Sequence, residues 1–448
     1  MFPPNVEGQK GDRSAAAIVP ECAAASRQKG CSCGLCRSKV SDDSRVEFGY
    51  GEAPSKSENI GLTDPFTDIR PYRDDEVAEV LTRLLGNAEF LDTLATYRLG
   101  KMGAIVSGLV RPLVRFSLAR EVRNVSDVSS IQSIIGRYMA RLVETSTAGL
   151  SVSGLERLNP TYPNLYMSNH RDIAMDPAFI NYALHGADYE TLRIAIGDNL
   201  LTKPWVADLM RLNKSFIVKR SVNGPRELLA ASKTLAKYIQ HSLLEENAPV
   251  WIAQREGRAK NGIDRTEPVI IKMLSMSRDK ASQSFGDYIR SLGIVPVAIS
   301  YELDPCDAMK AKELFQLATE GTYEKGAQED VASIAQGIAG EKGRVHVSFG
   351  VRLEGSLETP DMVAQAVDRQ VITEYCLHPT NLYAYRRLYG EDALVPHELN
   401  MEDGDCSEEA FEARIDAMPE AHRPYALGIY ANAVVSKLTL ADCSQTPC

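Results

Sequence analysis

The sequence lacks an apolar run long enough to span a bilayer. The nearest candidate, Met102 to Val110, is about half the required length and is followed by Arg111 and Arg115. The first residues also lack the basic start and apolar core of a secretory signal. These absences predict a cytoplasmic protein without a transmembrane helix. Any contact with a membrane would be peripheral, at its inner face.

Positive charge and paired metal-binding motifs are scarce as well. The chain has 50 Lys and Arg against 60 Asp and Glu, a net charge of −10, which argues against a nucleic-acid binder. Its nine Cys, without a secretory signal, fit a reducing cytosol. Cys22, Cys31, Cys33 and Cys36 form neither a paired C-x-x-C knuckle nor a cluster with His, so a solvated tail is favoured over a metal site.

Composition and patterning divide the chain into four segments. With 44% apolar and 25% charged residues, its 448 residues can bury a sizeable core. Residues 1–62 are rich in Gly, Ser, Ala and charge and are predicted to be a disordered tail. We then predict an N-terminal helical region over 63–148, an α/β domain over 149–355 and a C-terminal helical extension over 356–448.

The helical region contains a stretch, residues 103–123, that combines apolar bulk with four arginines. This pattern is typical of a helix that lies on an anionic membrane surface. It equally fits a helix that packs on the main domain with its arginines in water. The sequence leaves both interpretations open for the arginines Arg111, Arg115, Arg120 and Arg123.

After Gly149 short apolar strands alternate with helical patterns. This alternation predicts an α/β fold, a largely parallel sheet flanked by helices. Functional sites in such sheets gather at the carboxyl ends of the strands. The predicted strands are Ser151–Leu158, Leu165–Asn169, Leu192–Gly197, Ser215–Arg220, Val250–Gln254, Ile294–Ser300 and Arg344–Val351.

A histidine and a carboxylate follow the second of these strands. His170 comes directly after it, and Asp176-Pro177 is a favoured N-cap and first position of the next helix. A carboxylate that orients a histidine and stabilises its imidazolium makes the histidine a general base. We prefer Asp176 as the partner because of its position at the helix start, although Asp172 competes for the role.

Cations follow two other strands. Lys219 and Arg220 end one, and Arg258 and Lys260 follow another. If these strand ends converge on His170, a base lies beside a basic cluster. Such a site fits an anionic substrate, because hydrogen bonds from cations to phosphate are among the strong ones.

Four blocks of the sequence, taken in order, resemble the glycerolipid acyltransferases, that is, the glycerol-3-phosphate and lysophosphatidate acyltransferases. The resemblance covers residues 149–355. The His-to-Asp spacing is one residue longer than in that family, the third block is one residue shorter, and Asn213 replaces a Gly. The blocks are SNHRDIAMD (168–176), NKSFIVKR (213–220), REGRAKNG (255–262) and VPVAISYE (295–302).

The resemblance implies transfer of a fatty acyl group at a membrane surface, without metal or bound cofactor. The donor would be a thioester, acyl-CoA or acyl carrier protein, and the acceptor glycerol-3-phosphate or lysophosphatidate. His170, oriented by Asp176, would take the proton from the acceptor hydroxyl. The residues implied to bind the phosphorylated acceptor are Lys219, Arg220, Glu256, Gly257 and Arg258.

Several alternatives stay open. The acceptor could be another lipid alcohol, although the polar strand end Ser300–Glu302 favours glycerol-3-phosphate. A non-catalytic lipid-binding or interaction protein on the same scaffold is the main rival.

The triplet His170-Arg171-Asp172 also occurs in protein kinases, but the sequence has neither their Gly-rich loop nor a D-F-G motif, which excludes that class.

Overall fold

The structure is a computed structural model that describes residues 64–99, 101–326, 328–390 and 401–445. The predicted tail and its four cysteines lie outside these residues.

A seven-stranded sheet forms the centre of the fold, in the order β1-β7-β6-β2-β5-β3-β4. Neighbouring strands run parallel, apart from β6 and β7, which are antiparallel. Each of the seven predicted strands is present, and the α/β class is confirmed. The strands are β1 (Gly149–Ser153), β2 (Leu165–Ser168), β3 (Arg193–Gly197), β4 (Ser215–Val218), β5 (Val250–Ala253), β6 (Ile294–Tyr301) and β7 (Arg344–Phe349).

The first strand ends earlier than the sequence predicts, at Ser153 instead of Leu158. Gly154 has a positive φ of 80°, a left-handed conformation that ends the strand and starts a short 3-10 turn. A Cβ at this position would lie 2.0 Å from the carbonyl oxygen of Phe349. The turn therefore requires glycine both for its backbone angle and for the close approach of β7.

Helices cover both faces of the sheet. Because successive strand residues point to opposite faces, Leu165 and Met167 of β2 enter one core cluster and Tyr166 enters the other. Helices α7, α8 and α12 pack on the first face, and α5 packs on the second. The helices are α1 (Asp74–Gly86), α2 (Ala88–Leu99), α3 (Lys101–Glu121), α4 (Val128–Ser146), α5 (Met175–Gly186), α6 (Pro204–Leu212), α7 (Pro225–Leu244), α8 (Pro268–Leu274), α9 (Phe285–Ser291), α10 (Asp307–Glu320), α11 (Glu329–Ala339), α12 (Pro360–Glu374), α13 (Pro379–Tyr389), α14 (Glu408–Asp416) and α15 (Arg423–Gln445).

The N-terminal helices α1–α4 pack on the rest of the molecule through a cluster that includes Leu212 of α6. Helix α3 contributes buried Val114 to this cluster, whereas its Leu113 and Phe116 are 68% and 67% exposed. Arg111 pairs with Asp92 of α2. The helix therefore packs on its neighbours, as the interpretation of a packed helix predicts. It also presents an apolar outer face, as the interpretation of a membrane-surface helix requires.

The C-terminal helices share a core with the sheet. Val363 and Val367 of α12 and Val434 of α15 are fully buried in the same cluster as Leu165 of β2. The division at residue 355 therefore does not coincide with a boundary between hydrophobic cores. Within the described residues, no helix combines the length and apolarity needed to cross a membrane.

Candidate active site

A buried carboxylate at the start of α5 organises the site. Asp176 is fully buried, and its Oδ2 lies 2.9 Å from Nδ1 of His170. The same oxygen accepts hydrogen bonds from the backbone N–H groups of Arg171 at 2.6 Å and Asp172 at 2.9 Å. Its Oδ1 accepts a hydrogen bond from the Tyr301 hydroxyl at 2.6 Å. These partners offset the cost of burying the charge, since hydrogen bonds to charged groups contribute about 1.5–3 kcal/mol each.

The carboxylate can only accept a hydrogen bond, so Nδ1 of His170 carries a proton in this pair. Nε2 is then the nitrogen that can take a proton from another molecule. The His170 side chain is 13% exposed, which gives a small molecule access to it. The geometry is that of a general base oriented by a buried anion.

The two aspartates near His170 have different tasks, and the predicted N-cap is wrong. Helix α5 begins at Met175, so Asp176 is its second residue and not its cap. Asp172 Oδ1 instead accepts hydrogen bonds from the N–H groups of Ala174 and Met175 at 3.0 and 2.9 Å. Burial and the neighbouring charge of Asp176 raise the pKa of Asp172 above its ordinary value. Asp172 therefore closes the turn, and Asp176 contacts the histidine.

Hydrogen bonds to neighbouring strands hold His170 in place. Asn169 donates to the carbonyl of Ile299 in β6 and accepts from its N–H, at 3.0 and 2.8 Å. The carbonyl of His170 accepts a hydrogen bond from the N–H of Ala259 at 2.7 Å. The ring of Trp251 in β5 meets the imidazole edge to face, with centroids 5.9 Å apart. The base is therefore supported by rigid strands on both sides.

A cavity of about 400 Å³ opens beside His170. All the residues predicted to bind substrate line it, whereas Asp176 lies behind the histidine. The strand ends thus converge as the sequence predicts. The predicted residues in the lining are His170, Lys219, Arg220, Glu256, Gly257 and Arg258.

The three cations predicted to bind phosphate, Lys219, Arg220 and Arg258, are only loosely paired. Nζ of Lys219 lies 3.6 Å from Asp68, and Nη1 of Arg220 lies 3.6 Å from Glu256, with the two cationic side chains 44% and 39% exposed. Arg258 donates to the hydroxyl of Ser333 at 2.7 Å. These contacts leave the cations donors to offer an anionic ligand.

Gly257 places Glu256 and Arg258 on this wall. Its φ of 71° lies in the left-handed region, where a side chain is strained.

Burial lowers the pKa of nearby Lys260, and the contact with Glu313 opposes that shift. Lys260 is therefore already committed to a protein partner.

The rest of the cavity lining is largely apolar. It extends between α7 and α8 along the face of the first core cluster. Hydrocarbon fits such a surface, and burying it contributes about 0.8 kcal/mol per CH₂. The apolar residues that extend the cavity are Phe216, Leu228, Leu235, Ile239, Val269, Ile270 and Met273.

Sequence reasoning missed two residues that support the pair. Tyr301 holds Asp176 from β6, and burial and that carboxylate raise the pKa of Tyr301 well above its ordinary value, so it stays a donor. Trp251 packs on His170 and donates from Nε1 to the Ser168 hydroxyl at 3.0 Å. Both lie on predicted strands, but only the strand order places them next to β2.

One cluster of metal-ligand types occurs in the described residues, away from this cavity. His346, Cys376 and Glu402 bring one ligand atom each within 4.8 Å of one another. Both ring nitrogens of His346 have partners, with Nδ1 at 3.0 Å from Glu402 and Nε2 at 2.9 Å from the Ser153 hydroxyl. We interpret the cluster as a buried hydrogen-bond network.

The class of the site follows from comparison with known families. Residues 149–300, about a third of the chain, match the family model described as Acyltransferase. The matched residues include His170 and Asp176 and the cations Lys219, Arg220, Arg258 and Lys260. The resemblance seen in the four sequence blocks is confirmed.

Among solved structures, the chain is similar to the 1-acyl-sn-glycerophosphate (LPA) acyltransferase PlsC from Thermotoga maritima. The identity is 16% and the TM-score 0.30, over 66% of this chain and 95% of that one. No curated protein matches the sequence.

Proposed function

We propose that this protein transfers a fatty acyl group from a thioester donor to the hydroxyl of a phosphorylated glycerol, glycerol-3-phosphate or lysophosphatidate. The observation that carries the proposal is the pair of His170 and Asp176 at the edge of one cavity that offers both cations and an apolar surface. The donor would be acyl-CoA or an acyl carrier protein. The chain's own residues supply the base and the binding groups of this proposal, without a metal or bound cofactor.

In the proposed reaction His170 moves one proton twice. Nε2 takes the proton of the acceptor hydroxyl while the hydroxyl oxygen attacks the carbonyl carbon of the thioester. Asp176 stabilises the imidazolium that forms. The carbon–sulfur bond then breaks, and the imidazolium returns the proton to the leaving thiolate. The products are an ester and a free thiol, and the histidine ends as it began.

The cations have a separate task in this proposal. Arg220 and Arg258, with Lys219, bind the acceptor phosphate, while Glu256 orients Arg220. The apolar part of the cavity takes the acyl chain of the donor. In this proposal the bound phosphate holds the acceptor hydroxyl, and the bound acyl chain holds the thioester, on either side of Nε2. This positioning lowers the barrier through proximity.

We also propose that the outer face of α3 docks on the membrane. Leu113 and Phe116 are the two most exposed large apolar side chains in the described residues. They lie three positions apart, on one face, and Arg120 follows on it one turn later. Exposed Arg115 and Arg123 add positive charge, which favours an anionic surface.

The His170→Ala variant tests the reaction. We expect acyl product from long-chain acyl-CoA to fall at least about 100-fold, because general-base assistance supplies ~10²–10⁴-fold. Product is measured by mass spectrometry with glycerol-3-phosphate, with lysophosphatidate and with no acceptor, and acyl carrier protein replaces acyl-CoA in a second series. His422→Ala is the control. Full activity of His170→Ala would contradict the assignment of His170 as general base. A wild-type protein that forms no product in any combination would reject the acyltransferase proposal.

Arg220→Ala and Arg258→Ala test the phosphate site. Each should raise KM for the phosphorylated acceptor roughly tenfold and leave kcat within a few-fold, because the lost contact is made equally before and during the reaction. Arg226→Ala, an exposed arginine of α7 outside the cavity lining, should change neither constant. An unchanged KM for both variants would contradict the assignment.

Vesicle binding tests the membrane surface. The double variant Leu113→Glu/Phe116→Glu should lose most of its cosedimentation with vesicles that contain phosphatidylglycerol, because it buries charge in place of hydrocarbon. The control Tyr162→Glu/Val351→Glu adds the same charge at two other exposed apolar positions. Equal losses in the two variants would show a general charge effect and refute a role for this face.

A further inference from the structure

A second cavity, of about 600 Å³, lies on the other face of the sheet from the apolar part of the catalytic cavity. It is bounded by α4, α5, α6 and α11, and its lining is mostly apolar. A protein site of this size and character is typical of a ligand cavity. Its lining includes Met139, Met175, Ile194, Leu209, Met210 and Ile334.

The second cavity adjoins the catalytic one. Ile173, Ala195, Ile196 and Leu200 line both. Ile173 lies three residues after His170, in the loop that carries the base. His170 itself lines only the catalytic cavity, and the two cavities meet at the loop that carries it.

Three polar side chains that line the second cavity, those of Gln132, Asn181 and Lys203, have protein partners. Gln132 donates to Asn213 at 3.0 Å and accepts from Asn181 at 3.4 Å, and Asn181 Oδ1 accepts the N–H of Leu192 at 2.8 Å. Lys203 pairs with Glu89. Because these groups are engaged and most of the lining is apolar, the cavity suits a hydrocarbon chain, which forms no hydrogen bonds.

We infer that the second cavity binds the hydrocarbon chain of the acceptor, which makes that acceptor a lysophosphatidate and not glycerol-3-phosphate. The inference rests on the proposed function. Acyl transfer to a lysophosphatidate brings two chains to one base at the same time, and the two cavities provide separate places for them. Glycerol-3-phosphate has no chain and would leave the second cavity unused.

The position of the second cavity assigns it to the acceptor. Its lining includes Thr93 of α2 and residues of α4, which belong to the helical region with the proposed membrane-docking face. A lysophosphatidate that enters from the bilayer would meet this side of the cavity. The apolar part of the catalytic cavity opens past exposed Leu228 and Val269, where a donor delivered from solution can insert its chain.

This inference replaces the preference for glycerol-3-phosphate suggested by Ser300–Glu302. In the structure these polar side chains have internal partners. Ser300 contacts His378 at 3.2 Å, Tyr301 binds Asp176, and buried Glu302 accepts from the N–H groups of Arg344 and Cys406. None of the three lines either cavity.

Two methionines provide a matched test. Met139 lines only the second cavity and Met273 only the catalytic one, and both are partly buried. Met139→Trp fills the second cavity and should raise KM for oleoyl-lysophosphatidate about tenfold, as expected from displacing roughly two methylenes. The effect should be smaller for hexanoyl-lysophosphatidate, and the chain-length profile for acyl-CoA should not change. Met273→Trp should shift the acyl-CoA profile instead.

The assay compares kcat/KM for each chain length. If the Met139→Trp variant fails to fold, the variants Met139→Ala and Met139→Leu provide smaller changes of side-chain volume at the same position. Wild-type protein should acylate lysophosphatidate in preference to glycerol-3-phosphate. A preference for glycerol-3-phosphate, an unchanged acceptor profile in every Met139 variant, or a changed donor profile in those variants would overturn the inference alone. Failure of wild-type protein to acylate either acceptor would reject the proposed function itself.

Discussion

The structure depends on one buried carboxylate. Asp176 receives hydrogen bonds from a histidine ring, from two backbone N–H groups of the loop 170–172 and from a tyrosine of β6. An unpaired charge at this depth would cost several kcal/mol, and these four hydrogen bonds together offset that cost. The position of His170 is consequently set by the end of β2, the start of α5 and the adjacent strand together.

The sheet converts this local constraint into a site. Because β2, β5, β3 and β4 run in the same direction, their carboxyl ends lie at one edge, and the cations after β4 and β5 reach the cavity beside His170. The two faces of the sheet also explain why there are two apolar cavities. The catalytic cavity extends the first core cluster, whereas the second cavity lies between the cluster on the other face and the cluster of the N-terminal helices. The end of β3 contributes Ala195 and Ile196 to both linings.

Much of this arrangement could be predicted from the sequence. Alternating apolar strands and helices indicated the α/β class, and polar strand ends located His170 and the cations. The N-cap assignment failed because Asp176 and Asp172 have the same local preference for a helix start, and only the tertiary bonds to His170 and Tyr301 distinguish them. The contributions of Tyr301, Trp251 and the second cavity depend on strand order and on packing between distant segments, which local patterns do not encode.

The comparison of Asp176→Asn with Asp172→Asn tests the central claim most directly. Asparagine at 176 cannot hold His170 in the required tautomer and charge state, so kcat for acyl transfer should fall ~10²–10⁴-fold with little change in acceptor KM. Asparagine at 172 keeps the oxygen that accepts from Ala174 and Met175, and its kcat should stay within a few-fold of wild type. Equal losses in the two variants, or full activity of Asp176→Asn, would contradict the account.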